Sequence, residues 1–239
     1  EIMWQFRSAI EGMAKACDAF RIPVVSGNVS FYNETKGKGI YPTPSVAMVG
    51  LLEDVSTRLV QAFREEGDLV FLAGADRNAV ELGGSLYLNE IHGKVAGVPP
   101  EADPAHEASL CGFLRAAASR RLLSSAHDLA EGGLACALAE SCVTRDPGPI
   151  GARIRNPFPE SVRADFAMFS ENQGRALLSC PPAKKASLLA AAREFRITME
   201  ELGAVGGTVI EIEGIARVEA PEMEKAWRAG LTGALGFGG

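Results

Sequence analysis

Small polar residues follow an apolar run in the stretch PVVSGNVSFYNE, residues 23–34. Gly27 would let the backbone approach a ligand closely, because glycine has no Cβ atom. Asn28 offers an uncharged oxygen of the kind that binds Mg²⁺, and Ser30 places a hydroxyl on the same side of an extended chain two residues later. The stretch therefore fits either a place where a phosphate meets a metal ion or a turn that is simply polar.

A second candidate lies in SSAHDLAEGGLACALAE, residues 124–140, where a predicted strand runs into His127 and Asp128. Asp128 and Glu131 have the spacing of a capping box, which predicts a helix beginning directly after Asp128. Gly132 and Gly133 disfavour that first turn, so we expect a close neighbour there, either another backbone or an anion. The alternatives are a tightly packed capping box and a structural, hydrogen-bonded histidine.

Two further polar stretches adjoin apolar segments. FSENQGR, residues 169–175, carries consecutive hydrogen-bonding side chains immediately before a predicted strand, and a polar loop leading into that strand is the simpler explanation. ELGGSLYL, residues 81–88, places two glycines and a serine ahead of an apolar run, as in a turn beside a core segment.

Composition excludes several classes of function. The chain has 239 residues, 47% of them hydrophobic and 23% charged, with a net charge of −6 and no basic stripe, so we expect no nucleic-acid partner. No apolar run approaches the roughly 18 residues of a membrane span. The five cysteines are scattered without CxxC spacing, which favours small core residues in a reducing cytoplasm. Phosphate-loop and nucleophile-elbow motifs are absent from the sequence.

Helices and strands that could position these residues alternate along the chain. Helices are predicted at 4–20, 105–121, 129–143, 182–195 and 220–228, and strands at 23–26, 46–52, 68–74, 122–126, 175–180 and twice within 197–212. This alternation predicts an α/β or α+β fold with a mixed sheet. His92 and His106 fall in polar, loop-like stretches and are expected to be exposed.

Taken together and in order, five stretches closely resemble the phosphoribosylformylglycinamidine synthase family, within the aminoimidazole ribonucleotide synthetase superfamily. They are SGNVSFYNET, PTPSVAMVGLLEDV, LGGSLYLNEIHG, AHDLAEGGLACALAE and FSENQGRALLSCPP. The resemblance runs from Glu1 to about Leu235. It implies that residues 1–58 are the C-terminal part of a second N-type, ATP- and Mg²⁺-binding domain. Residues 59–239 would form a complete second C-type domain, with the N-terminal half of the synthetase missing from this chain.

The resemblance also implies a reaction. In the family, ATP phosphorylates the amide oxygen of formylglycinamide ribonucleotide, and ammonia from a glutaminase subunit then displaces phosphate from the iminophosphate. The chain is therefore expected to be part of a cytoplasmic, ATP-dependent carbon–nitrogen ligase of purine biosynthesis, inactive by itself, with a glutaminase and a small accessory subunit as partners. The alternative is a non-catalytic nucleotide-binding or structural module of the same superfamily.

Roles for individual residues follow from the family pattern. No catalytic residue is expected in this chain, because the family's catalytic histidine lies in the missing half. The resemblance assigns ATP to Gly27, Mg²⁺ to Asn28 and Asp128, an auxiliary nucleotide site to His127 and Asp128, and substrate to Ser30, Glu171 and Gln173.

Overall fold

The computed structural model describes residues 1–31, 34–74 and 80–236. Most strands of this part of the chain belong to one mixed sheet. The strands are β1 (Glu34–Thr35), β2 (Lys38–Gly39), β3 (Leu69–Ala73), β4 (Ser125–Asp128), β5 (Ala152–Ile154), β6 (Ala176–Cys180), β7 (Met199–Val205), β8 (Val209–Ile212) and β9 (Ala216–Glu219). The large sheet has the order β4-β6-β3-β7-β5-β8-β9, and β1 and β2 pair separately. Its pairs are antiparallel except for β5 with β8.

The described chain has seven α-helices, and those with buried residues pack on the two faces of this sheet. The seven helices are α1 (Ile2–Phe20), α2 (Leu86–His92), α3 (Pro104–Ser119), α4 (Gly133–Val143), α5 (Ala164–Phe169), α6 (Lys185–Glu194) and α7 (Ala220–Ala234). The start of α3 shows why such helices begin where they do. The Asp103 carboxylate accepts hydrogen bonds from the Ala105 and His106 amides, and Pro104, which has no amide hydrogen to satisfy, occupies the first turn.

The central strand β3 divides the hydrophobic core in two. Successive side chains of a strand point to opposite faces. Val70 and Leu72 accordingly pack with residues of α4, α5 and α7, while Phe71 and Ala73 pack with residues of α3 and α6. Because β3 is buried on both faces, its sequence is uniformly apolar rather than alternating.

The predicted fold class is confirmed, since the chain forms a mixed sheet flanked by helices. The strands predicted at 68–74 and 175–180 and the helices predicted at 105–121 and 182–195 are present with small shifts at their ends. The prediction missed α2, α5, β1, β2, β5 and β9, all seven residues or shorter. The helix predicted at 220–228 extends further, to Ala234.

The strands predicted at 23–26 and 46–52 are wrong. Both segments are irregular and exposed, with Val25 91% and Val49 103% accessible. A strand is stable only when its backbone groups pair with a neighbour, and neither segment pairs with a strand of the described chain. The preceding helix α1 contacts α3 but contains no buried residue.

The histidine and cysteine predictions had mixed outcomes. His92 is exposed as expected, at the end of α2. His106 is instead partly buried in the first turn of α3, because its ring bonds to a neighbouring loop. Cys142 and Cys180 are buried and all five cysteines are free, but Cys111 is exposed rather than in the core. None of the described helices combines the length and the apolar character needed to cross a bilayer.

Candidate functional site

Three of the four polar stretches meet at one edge of the large sheet. Because β4 and β3 both run antiparallel to β6, both end where β6 begins, with Asp128 and Ala73 each opposite Ala176. The turn containing residues 81–86 reaches the same edge through hydrogen bonds described below. We call residues 81–86, 127–133 and 170–175 together the sheet-edge site, and residues 170–175 the 170–175 loop.

The 170–175 loop joins the other two stretches through its side chains. Glu171 Oε1 accepts hydrogen bonds from the Gly132 amide at 2.9 Å and from the Leu86 amide at 3.0 Å. Asn172 Oδ1 accepts one from the Glu81 amide, also at 3.0 Å. Two adjacent side chains therefore fix backbone positions that are 39 to 91 residues away in sequence.

A buried arginine holds this loop from within. Arg175 is 4% exposed, and its guanidinium donates to the Asn172 carbonyl (2.9 Å), the Ser170 carbonyl (2.6 Å) and the Ser170 hydroxyl (3.3 Å). These acceptors are all uncharged. Burial lowers the pKa of Arg175 to about 10, so the group remains a cation at neutral pH. Sequence reasoning missed this residue, although an arginine that opens an apolar strand is itself a signal of a buried, hydrogen-bonded charge.

The end of the loop also makes a close approach to two other elements. Gly174 has φ of +72°, and its carbonyl oxygen lies 2.9 Å from His106 Nε2. A side chain at Gly174 would collide with that imidazole ring, and one at Gly74 would collide with the Gly174 carbonyl. Only glycine fits at these two positions, because backbone and ring are packed directly against one another.

The helix α4 does not begin as the capping box predicts. Its N-cap is Gly132, with φ of +76° and no side-chain cap, and Asp128 instead ends β4. The strand continues through Asp128 because it pairs with β6, which moves the helix start to Gly133. The expected close neighbours are confirmed. A Cβ atom on Gly133 would lie 2.5 Å from the Ser170 carbonyl oxygen, and the Gly132 amide donates to the Glu171 carboxylate.

His127 lies between two carboxylates. Its Nε2 is 2.8 Å from Glu140 Oε2 on α4, and its Nδ1 is 3.1 Å from Asp128 Oδ1. The histidine side chain is 10% exposed, that of Glu140 36% and that of Asp128 81%. The ring therefore bridges the end of β4 and the helix behind it, while the Asp128 carboxylate faces solvent at the sheet-edge site.

The side chains at the sheet edge could bind a magnesium ion only as one or two separate ligands. Within the described residues no group of three or more histidine, cysteine, aspartate or glutamate side chains is arranged to hold a metal. Mg²⁺ does not need such a cage, because it usually keeps several waters and binds one or two carboxylates together with substrate phosphates. The exposed carboxylate of Asp128 has the chemistry of such a ligand.

The first polar stretch has a different setting. Gly27, Asn28 and Ser30 lie in an irregular, exposed segment, and a Cβ atom on Gly27 would meet nothing within 4 Å. Within the described chain, Gly27 is therefore not required by a close approach. Tyr32 and Asn33 of the same stretch lie outside the described residues.

Two family models match the chain. The model described as AIR synthase related protein, C-terminal domain, covers residues 65–213, and that described as AIR synthase related protein, N-terminal domain, covers residues 1–52. The chain belongs to the AIR synthase related protein family. The first match contains the whole sheet-edge site, and the second contains the exposed stretch with Asn28 and Ser30.

Relatives within this family include proteins named phosphoribosylformylglycinamidine synthase subunit PurL. That of Anaeromyxobacter dehalogenans strain 2CP-C is 48% identical over 242 residues, which is 98% of this chain and 31% of the relative. That of Moorella thermoacetica is 43% identical over 235 residues, 97% of this chain and again 31% of the relative. The predicted resemblance is thus confirmed, and this family member spans 31% of the length of these curated relatives.

Solved structures agree with the fold. Thermotoga maritima PurL complexed with FGAR matches with a TM-score of 0.59 and 18% identity. The match covers 71% of the present chain and 30% of the PurL chain. The same protein complexed with ATP gives a TM-score of 0.55 at 18% identity, over 71% and 28% of the two chains. At this identity the match establishes the fold alone.

Proposed function

We propose that this chain is part of the synthetase of phosphoribosylformylglycinamidine synthase. It would contribute the end of the second N-type domain, residues 1–58, and the second C-type domain, residues 59–239. The observation that carries the proposal is 48% identity over 98% of the chain to a protein of that name. The activity would be an ATP-dependent carbon–nitrogen ligation in purine biosynthesis, performed in the cytoplasm.

The proposed reaction converts formylglycinamide ribonucleotide, ATP and ammonia into formylglycinamidine ribonucleotide by way of an iminophosphate. Phosphoryl transfer depends chiefly on positioning and on stabilising developing charge. A synthetase of this kind therefore needs well-positioned elements around its phosphates, and hydrogen bonds hold the three segments of the sheet-edge site together. Solved T. maritima structures include PurL complexed with ATP, PurL complexed with FGAR, and PurLQS. They support the same ligands for this chain and a glutaminase and a small accessory subunit as its partners.

Residues take different proposed roles in the two regions. Gly27 would approach ATP, Asn28 would bind Mg²⁺ and Ser30 would contact substrate, once the missing part of the synthetase encloses this exposed stretch. Mg²⁺ would neutralise phosphate charge when bound. At the sheet edge, the exposed Asp128 would serve the metal and nucleotide, with His127 orienting its carboxylate through their 3.1 Å contact. The exposed side chain of Gln173 is the proposed substrate contact there.

A chimera tests this proposal. The aligned third of the A. dehalogenans protein is replaced by residues 1–239, and turnover is measured with formylglycinamide ribonucleotide, ATP and ammonia. We expect the chimera to turn over and the isolated chain to be inactive. A folded chimera without turnover would contradict the assignment, and turnover by the isolated chain would contradict its role as one part of the active site.

The second candidate is a non-catalytic nucleotide-binding or structural module. The observation that favours it is that three hydrogen bonds join the segments of the sheet-edge site without any contribution from the exposed Asn28 stretch. Calorimetric titration of the isolated chain with Mg-ADP separates the two candidates. Binding that is lost in Asp128→Ala but kept in Asn28→Ala supports the module, and the chimera then shows whether turnover also needs Asn28.

A further inference from the structure

One oxygen of the Glu171 carboxylate accepts hydrogen bonds from the chain's own backbone. The same oxygen, Oε1, accepts the Gly132 amide at 2.9 Å and the Leu86 amide at 3.0 Å. Leu86 is the first residue of α2, and the amides of a first helical turn have no acceptor within their own helix. Glu171 therefore satisfies a donor that the helix leaves unpaired and at the same time joins that helix to the start of α4.

The neighbouring side chains make the same kind of connection. Asn172 is 8% exposed and accepts the amide of Glu81, five residues before Leu86. Arg175 fixes the loop backbone on both sides of Glu171 by donating to the carbonyls of Ser170 and Asn172. The buried guanidinium of Arg175 therefore orients Glu171 through hydrogen bonds to the residues on either side of it.

We propose that Glu171 is a positioning residue that ties residues 81–86 to the N-terminus of α4, and that it acts through these two amides rather than by contacting a ligand. These two hydrogen bonds form within the isolated chain. They would also hold Asp128 and Gln173 in position around a nucleotide or substrate, and this consequence rests on the proposed function. A glutamate that sequence similarity assigns to the substrate would then be a structural clamp in this half of the synthetase.

Three substitutions of Glu171 separate the effect of side-chain length from the effect of negative charge. Glu171→Gln is neutral but keeps an oxygen at the same distance from the backbone, so it should still accept both amides. Glu171→Asp keeps the charge but is one methylene shorter, so it should lose them. Glu171→Ala loses both. A ligand contact that needs negative charge would rank the Asp and Gln variants in the opposite order.

Hydrogen exchange of the Leu86 and Gly132 amides in the isolated chain is the measurement. A lost hydrogen bond to a charged acceptor should reduce protection roughly tenfold. We expect that loss in the Ala and Asp variants, and protection within about threefold of the parent in the Gln variant. Glu131→Ala removes an exposed carboxylate next to Gly132 and is the matched control, with protection unchanged after correction for intrinsic exchange.

Unchanged protection in both Glu171→Ala and Glu171→Asp would overturn the proposal. Should the Ala variant fail to fold, the Asp and Gln variants still decide between the two rankings. Turnover of the chimera gives a second measurement: activity kept by Gln and reduced in Asp supports positioning, whereas activity kept by Asp and lost in Gln overturns it. If the chimera without substitutions at Glu171 shows no turnover, the result contradicts the proposed function only. The role of Glu171 is still tested by hydrogen exchange in the isolated chain.

Discussion

The sheet-edge site and the exposed stretch at residues 23–31 are similar in sequence but opposite in structure. Both contain small polar residues beside glycine and follow or precede apolar runs. At the sheet edge, Glu171 and Asn172 bind backbone amides of other segments, and Arg175 is buried beneath them. Asn28, in contrast, lies in an irregular, exposed segment. A polar motif has a defined geometry only where neighbouring elements supply its hydrogen-bond partners. The residues of the motif itself do not determine whether such partners are present.

The largest expected effect lies in the exposed stretch, but only in the assembled enzyme. Combining Asn28→Ala and Ser30→Ala in the chimera should reduce turnover roughly 10³-fold, because Asn28 would hold the Mg²⁺ that neutralises phosphate charge and Ser30 would position the substrate. In the isolated chain Asn28→Ala should change the unfolding free energy by less than about 0.5 kcal/mol, since Asn28 is exposed. Normal turnover of the doubly substituted chimera would contradict the proposed roles of Asn28 and Ser30.

The buried guanidinium should dominate stability at the sheet edge. Arg175→Met leaves two carbonyls and a hydroxyl without their donor, which should cost about 3 kcal/mol in urea unfolding. Arg175→Lys should recover part of this loss, because one ammonium cannot reproduce the planar fork that reaches three acceptors. Arg217→Met, at an exposed position of β9, is the control and should change stability by less than about 0.5 kcal/mol. Equal losses of stability in Arg175→Met and Arg217→Met would contradict the stabilising role of the Arg175 hydrogen bonds.

A smaller, pH-dependent effect is expected at Asp68. Its carboxyl is 3% exposed, Oδ2 has no hydrogen-bond partner, and burial raises its pKa above 3.8. Because the folded state holds the proton more tightly than the unfolded state, this group favours folding below pH 3.8, and that contribution is lost as pH rises through the folded pKa.

Asp68→Asn removes the ionisation and should therefore stabilise the chain at pH 7 by on the order of 1 kcal/mol. Urea unfolding of both proteins across a pH series measures the difference, which should shrink as pH falls towards 3.8. A variant that is less stable than the parent at pH 7 would show that the carboxylate has a favourable partner in solution.

The smallest effect should come from the exposed apolar residues. Val49→Asp introduces a charge at a position that is 103% accessible, so the unfolding free energy of the isolated chain should change by less than about 0.5 kcal/mol. The matched substitution Val70→Asp in β3 should prevent folding, because Val70 is completely buried between strands and helices. A large destabilisation by Val49→Asp would show that residues 46–52 form ordered structure in solution.

Sequence patterns predicted the buried sheet well but placed strands wrongly near the N-terminus. The apolar run of β3 was recognisable because it is continuous and bounded by a charged turn and Gly74. Residues 46–52 have the same local pattern, yet they remain irregular, because strand propensity has no effect without a pairing partner. The capping box at Asp128 failed for a related reason: pairing with β6 extends β4 through a residue that local spacing assigns to a helix.

The sequence by itself determined the fold class, the family and the four stretches that carry polar chemistry, because these depend on local composition and on the order of motifs. Only the tertiary structure decided that residues 81–86, 127–133 and 170–175 meet, that Glu171 faces two amides and that Arg175 lies buried behind it. Sheet register brings those positions together across 39 to 91 residues, and hydrogen-bond partners at such separations leave no periodic signal in the chain.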